Sequence, residues 1–155
     1  MTSTEKALER IKLSLGSEIG ISNWQVIDQA MIDQFGEVTL DTQFIHNDPM
    51  RAKDESPFGG TIAHGFLVLS LASRFAFDCF PDQQGQIIGM NYGFDKIRFL
   101  APVRCGAQVR GRFVAKSIVQ KSETQLLQTS ALTIEIEGQQ KPALIADWLT
   151  LAVFA

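Results

Sequence analysis

Only two cysteines and two histidines occur among the 155 residues, and that scarcity narrows the chemistry before any motif is weighed. Cys79 and Cys105 are too widely separated for a zinc-knuckle spacing. In a reducing compartment they stay thiols and are expected to fill the core. A basic excess is missing as well: 14 Lys and Arg stand against 17 Asp and Glu, for a net charge of −3, which argues against nucleic acid or an anionic membrane as a partner. The longest apolar stretch, from Ile62 to Phe77, is interrupted by His64, two serines and Arg74, so no segment is suited to span a bilayer. Met1 to Lys6 is polar and lacks the apolar stretch of a secretory signal. A soluble, cytoplasmic protein is expected. Gly59-Gly60 lacks the Gly-Lys-Ser/Thr ending of a phosphate loop and is read as a tight turn. Internal repeats and low-complexity tracts are absent.

What is present is enough for one domain, residues 1–155, whose folding would bury roughly 70% of the unfolded surface. Within residues 1–15, Ala7, Leu8, Ile11 and Leu15 recur at helical spacing behind a Ser/Thr start and stop before Gly16, which predicts a short peripheral helix. Ser22 to Ile27 reads as extended. Asp28 can cap a helix with Met31, Ile32 and Phe35 on one face and Gly36 as its stop. Asp48-Pro49 predicts another helix start, with a turn or two to Lys53. Thr61 to Phe77 should be the longest helix; Ile62, Phe66, Leu67, Leu71, Phe75 and Phe77 leave it almost no polar face, so it is expected to be buried on nearly every side.

After Pro81 the hydrophobic period becomes two. Gln86 to Phe99, Ala107 to Ser117, Leu126 to Glu137 and Pro142 to Phe154 predict four strands joined by successive hairpins, the last apolar on both faces and therefore interior. The fold class is α+β: a long buried central helix wrapped by a curved antiparallel β-sheet. One sheet around one helix leaves an edge strand and a sheet face uncovered. A second copy of the chain would supply the cover, so a homodimer is expected.

Chemistry concentrates between Asp41 and Gly65. Asp41 and His46 are five residues apart, out of alignment on a helix and on opposite faces of a strand, so they converge only if the chain between them turns. Gly65 falls in the first turn of the central helix, where amide hydrogens lack carbonyl partners and the helix dipole is positive. Together these residues offer a base, an acid and an amide donor. Adding water across an α,β-unsaturated thioester needs all three: water is deprotonated, Cα is protonated and the enolate oxygen is stabilised.

Three blocks carry a family resemblance: Asp41-x-x-x-x-His46-x-Asp-Pro; Pro57-Phe-Gly-Gly-x-Ile-Ala-His-Gly65-Phe-Leu; and Asn91-Tyr-Gly-Phe-Asp-Lys-Ile-Arg98-Phe-Leu-Ala-Pro-Val103. From about Ser17 to the strand after Gly106, the chain resembles the MaoC-like dehydratases and (R)-specific enoyl-CoA hydratases, in their nodulation protein N-like branch. That resemblance implies a hot-dog fold and reversible syn hydration of a trans-2-enoyl-CoA to an (R)-3-hydroxyacyl-CoA, with no cofactor, no metal and coenzyme A present only as part of the substrate. It also implies that Asp41 and His46 activate the water and handle its protons, that the Gly65 amide polarises the thioester carbonyl, and that Ser73, eight residues beyond Gly65, supports the aspartate. Gln43-Phe44 stands where the best-known hydratases of the family have Asn-Pro, which bears on acyl-chain preference.

Two other readings stay open. An acyl-CoA thioesterase would use the same helix-terminal amide, but such enzymes usually place a carboxylate on the central helix, and Thr61 to Phe77 has none. A non-catalytic acyl-CoA binding module would retain the fold without the reaction. Asp48 is read as a helix cap. A metal site joining His64 to His46 and Asp41 can be drawn, but the ligand spacing is missing, and a structural hydrogen bond shaping the turn is preferred for His64. Arg98, Arg104, Arg110, Arg112 and Lys116 are of the right type for coenzyme A phosphates, but each taken singly is read first as a water-facing strand residue.

Overall fold

The computed structural model describes all 155 residues. Helix α1 (Ser3–Leu13) starts at a capping box in which Thr2 and Glu5 bond each other's backbone amides. Strands β1 (Glu18–Ile21) and β2 (Gln25–Val26) lead to α2 (Gln29–Thr39), which Asp28 caps through the Met31 amide. Two short helices follow, α3 (Phe44–Asn47) and α4 (Pro49–Glu55), the latter capped by Asp48 through the Arg51 amide. The central helix comes next as α5 (Gly65–Ser70) and α6 (Ala72–Cys79). Four long strands complete the chain: β3 (Gln86–Phe99), β4 (Gln108–Ser122), β5 (Gln125–Ile136) and β6 (Leu144–Phe154).

The sheet is antiparallel throughout in the order β1-β4-β5-β6-β3, with β2 also paired to β4. Its core face follows directly from the period-two pattern. Val109 and Phe113 of β4, Leu132, Ile134 and Ile136 of β5, and Leu144 and Trp148 of β6 are buried against Leu67, Val68, Ala72 and Phe75 of the central helix. A smaller cluster under α1 holds Ala7, Leu126 and Phe154. This is a hot-dog fold, a helix wrapped by a curved sheet.

Four expectations are corrected. The four strands are not all successive hairpins: β3 pairs with β6, not with β4. The segment between them crosses to the other side of the sheet and is tied on the way by Ala63 N–H to the Val103 carbonyl and Gly106 N–H to the Ile27 carbonyl, at 2.8 and 2.6 Å. The central helix starts at Gly65, not Thr61, because Ile62 forms a β-bridge with Arg104 that holds residues 61–63 extended. Nor is that helix buried all round: Phe66 and Phe77 are 68% and 84% exposed, since the sheet covers only one face. Finally, Gly36 does not end α2. The helix runs on to Thr39 and stops where Leu40 takes the left-handed conformation, φ 62°. A Cβ at Gly36 would lie 2.6 Å from Asn47 Oδ1 and 2.9 Å from the Asp41 carbonyl. The glycine lets the loop after α2 fold back onto it.

Candidate active site

Asp41 directly follows the left-handed turn at Leu40, and His46 sits in the single-turn helix α3. The chain between them therefore does turn. A carboxylate oxygen of Asp41 and one ring nitrogen from each of His46 and His64 lie within 4.8 Å of one another. Asp41 is exposed, whereas His46 and His64 are 7% and 2% exposed.

Backbone carbonyls set the protonation of both rings. His46 Nδ1 lies 2.7 Å from the Ile62 carbonyl, and His64 Nε2 lies 2.8 Å from the Asp41 carbonyl. A carbonyl oxygen only accepts, so His46 carries its proton on Nδ1 and His64 on Nε2. The lone pair of neutral His46 is thereby left on Nε2, the nitrogen away from Ile62. Burial holds the His46 pKa below its ordinary 6.5; the neighbouring His64 pushes the same way, while the Ile62 carbonyl and the Asp41 carboxylate oppose. At neutral pH His46 is a base.

His64 is the residue whose part the sequence left least defined. Its hydrogen bond pins the Asp41 backbone, and its ring stacks on His46 with centroids 3.9 Å apart and planes 24° apart. It also immediately precedes Gly65, so one side chain ties the Asp41 loop, the His46 ring and the helix start together. Gln29 is a second support that no motif signalled. Its amide donates to the His46 carbonyl and the Asp33 carboxylate, both at 2.8 Å, and accepts from Thr61 Oγ1 at 2.5 Å. The Gln29 position follows from Asp28 capping α2, which is legible, but its partners come from three separate segments.

Residue types alone would let Asp41, His46 and His64 hold a divalent cation. Ring orientation opposes it. Imidazole lone pairs lie in the ring plane, and two stacked rings send theirs side by side rather than toward one ion at about 2.0–2.1 Å.

Gly65 opens α5, and no side chain caps that end. Its position cannot readily take a side chain, since a Cβ would sit 3.0 Å from the Phe99 ring. Gly65, Ile62, Phe99 and Val103 line a small cavity of about 250 Å³. Ser73 is not brought to this group. Eight residues of helix separate it from Gly65, about 12 Å of rise, and it lines a larger cavity of about 590 Å³ between α6 and strands β3 and β6.

The basic residues divide. Arg110 and Arg112 are paired with Glu135, Arg112 also with Glu18, and Lys116 with Asp147; Arg110 further lies 4.4 Å over the Trp24 ring. Arg98 and Arg104 are exposed without an ion pair, next in sequence to Phe99 and bridged to Ile62 respectively, at the Gly65 end of the molecule. No helix is long and apolar enough to cross a membrane.

Residues 11–136 match the family model described as "MaoC like domain". Nodulation protein N of Rhizobium meliloti (strain 1021) is 48% identical over 150 residues, covering 97% of this chain and 93% of that protein. The 3-hydroxyacyl-thioester dehydratase Z of Mycobacterium tuberculosis (strain ATCC 25618 / H37Rv) is 35% identical over 144 residues, 93% of this chain and 94% of that one. Among solved structures, the MaoC-like dehydratase from Rhodospirillum rubrum superposes with a TM-score of 0.74 at 20% identity, over 93% of this chain and 95% of that chain.

Proposed function

The chain belongs to the MaoC-like dehydratase family, and from that membership we propose that it is a hydro-lyase interconverting a trans-2-enoyl-CoA and an (R)-3-hydroxyacyl-CoA. The observation that carries this reading is the neutral His46, its Nε2 free, grouped with the Asp41 carboxylate. A water held between the two groups loses a proton to the pair as its oxygen bonds to Cβ of the enoyl thioester. The π electrons move onto the thioester oxygen, where the Gly65 amide and the positive end of α5 stabilise the charge. The enolate collapses as the pair returns a proton to Cα, so the site ends as it began. Dehydration is the reverse. Ser73 is assigned to the wall of the substrate path rather than to a proton step. No cofactor is required, and Arg98 and Arg104 are the cations free to meet coenzyme A phosphates.

A second copy completes the assembly in this reading. Strand β3 is a 14-residue edge strand with Ile87, Ile88, Met90 and Tyr92 all between 43% and 63% exposed. A long apolar edge of that kind is a template for pairing, and edge-to-edge pairing about a two-fold axis covers it in both copies at once. Sedimentation should give twice the 17.2 kDa chain mass.

The reaction is tested with purified protein and crotonyl-CoA. Hydration removes the conjugated enoyl-thioester absorbance without releasing a thiol. Thiol release instead would support the thioesterase, and binding with no change of either kind the non-catalytic module. The one carboxylate on the central helix, Asp78, is already engaged by Arg74 and the Asn23 amide, which favours hydration over thioester hydrolysis.

A further inference from the structure

In the hydratase reading the 590 Å³ cavity lies on the substrate path, and polar side chains stand among its apolar ones. It runs beside the same helix that starts at Gly65, and Ser73 lies on its wall. Gln128 is 9% exposed, yet its amide makes no hydrogen bond to the protein and opens onto this space. Gln83 presents a buried Oε1 with no partner. Asn91 uses its Oδ1 to accept from Trp148 Nε1 at 3.1 Å, which leaves its amide hydrogens free at the rim. Thr150 adds a hydroxyl. A buried polar group left without a partner is destabilising, so Gln83 Oε1 and the Gln128 side chain are matched to an occupant that bonds them.

Charge narrows the occupant further. No Lys, Arg or His lines the cavity, and the only ionisable residue is Asp82. A carboxylate would find no cation there and would be repelled by Asp82. Apolar walls from Phe80, Met90 and Trp148 remain for the methylenes.

Resting on the hydratase reading, we propose that the preferred substrate is an enoyl-CoA whose acyl tail carries a neutral oxygen function, a hydroxyl or keto group, rather than a plain alkyl or a carboxylate end. The cavity binds that oxygen through Gln128 and Thr150.

The test compares kcat/KM for enoyl-CoA substrates of matched length that end in an alkyl, a hydroxyl or a carboxylate. The hydroxylated tail should exceed the alkyl one at least tenfold, with the carboxylate the poorest. Gln128→Leu, and independently the near-isosteric Thr150→Val, should shrink that ratio toward one. Equal or greater turnover of the plain alkyl substrate overturns the inference, as does a ratio indifferent to both substitutions. Crotonyl-CoA, too short to reach the cavity, separates the two levels. If it is hydrated while the tails are not discriminated, only the tail inference fails. If nothing is hydrated the hydratase reading fails, and calorimetric binding of the matched saturated acyl-CoA esters then decides the tail preference, with equal affinities overturning it.

Discussion

The sheet β4-β5-β6 and the segment from Gln29 to Gly65 are held in place by opposite means. In the sheet every second residue goes inward: β5 alternates half-buried and buried without a break from Gln125 to Ile136. Position follows from side-chain period, and each residue acts through apolar area. The Gln29–Gly65 segment has short helices and no sustained period. It is held by single polar contacts, chiefly His64 to the Asp41 carbonyl, His46 to the Ile62 carbonyl and Gln29 to the His46 carbonyl. One region tolerates the loss of any one hydrogen bond, while the other depends on each. Stability should therefore be lodged in the first and activity in the second.

The largest expected effect probes that division directly. Asp41→Asn and His46→Gln each remove a proton-handling group and should lower kcat by about 10²- to 10⁴-fold, with the melting temperature hardly moved in Asp41→Asn because Asp41 is exposed. A stopped assay paired with a thermal melt reads both. A large loss of stability in Asp41→Asn would show that the site segment also supports the fold. Conversely, Phe113→Ala in β4 should cost about 3–5 kcal/mol of stability. Phe113 is fully buried, edge-to-face with Phe80 at 5.1 Å and tilted against Trp148 at 6.0 Å. The folded fraction, quantified by denaturant titration, should retain kcat to within a few-fold.

The same division explains what could be read from the sequence. Period two placed β3 at its observed bounds and the other three strands within a few residues, and the Ser/Thr and Asp caps placed the starts of α1, α2 and α4. The pairing of β3 with β6 was not legible, because local alternation carries no information about which strand lies alongside. The start of the central helix was misplaced because Ile62 is apolar and helix-compatible; only its bridge to Arg104, 42 positions further on, makes it extended. In the site, Asp41, His46 and Gly65 were picked out by residue type and motif. Gln29 was not, since a glutamine in a first helical turn has no signature. Gly36 was misread as a helix stop because a glycine packed against a distant loop looks in one dimension like a glycine that ends a helix.

Gly36 gives the next, smaller test. Replacing a glycine in a helix interior by alanine ordinarily stabilises by about 1 kcal/mol. Here the new methyl meets Asn47 Oδ1 and the Asp41 carbonyl, and overpacking of this kind costs about 1–3 kcal/mol. Gly36→Ala should therefore change net stability little while displacing the Asp41 loop, lowering kcat by at least tenfold. A stabilised and fully active Gly36→Ala protein would show that the loop position is not fixed by α2, and the contrast between the two regions would weaken.

The smallest effect concerns protons. His46 is held below its ordinary pKa of 6.5, chiefly by burial. The unfolded chain thus takes up its proton at a higher pH than the native one. Stability contributed by keeping His46 neutral is fully present above about 6.5 and is lost as pH falls from there through the lower native value. Activity that needs the free Nε2 should fail over the same acid range, below where an ordinary histidine would fail. The two neighbours that act on the ring do so with opposite sign: Asp41→Asn removes a group that raises the His46 pKa and should move its titration further down, whereas His64→Phe removes one that lowers it and should move it up. With only two histidines in the chain, imidazole NMR titration resolves His46 in both variants. Shifts of the same sign in the two proteins would mean that the polar contacts around His46 act on its burial rather than on its charge, and that the site segment is held by packing after all.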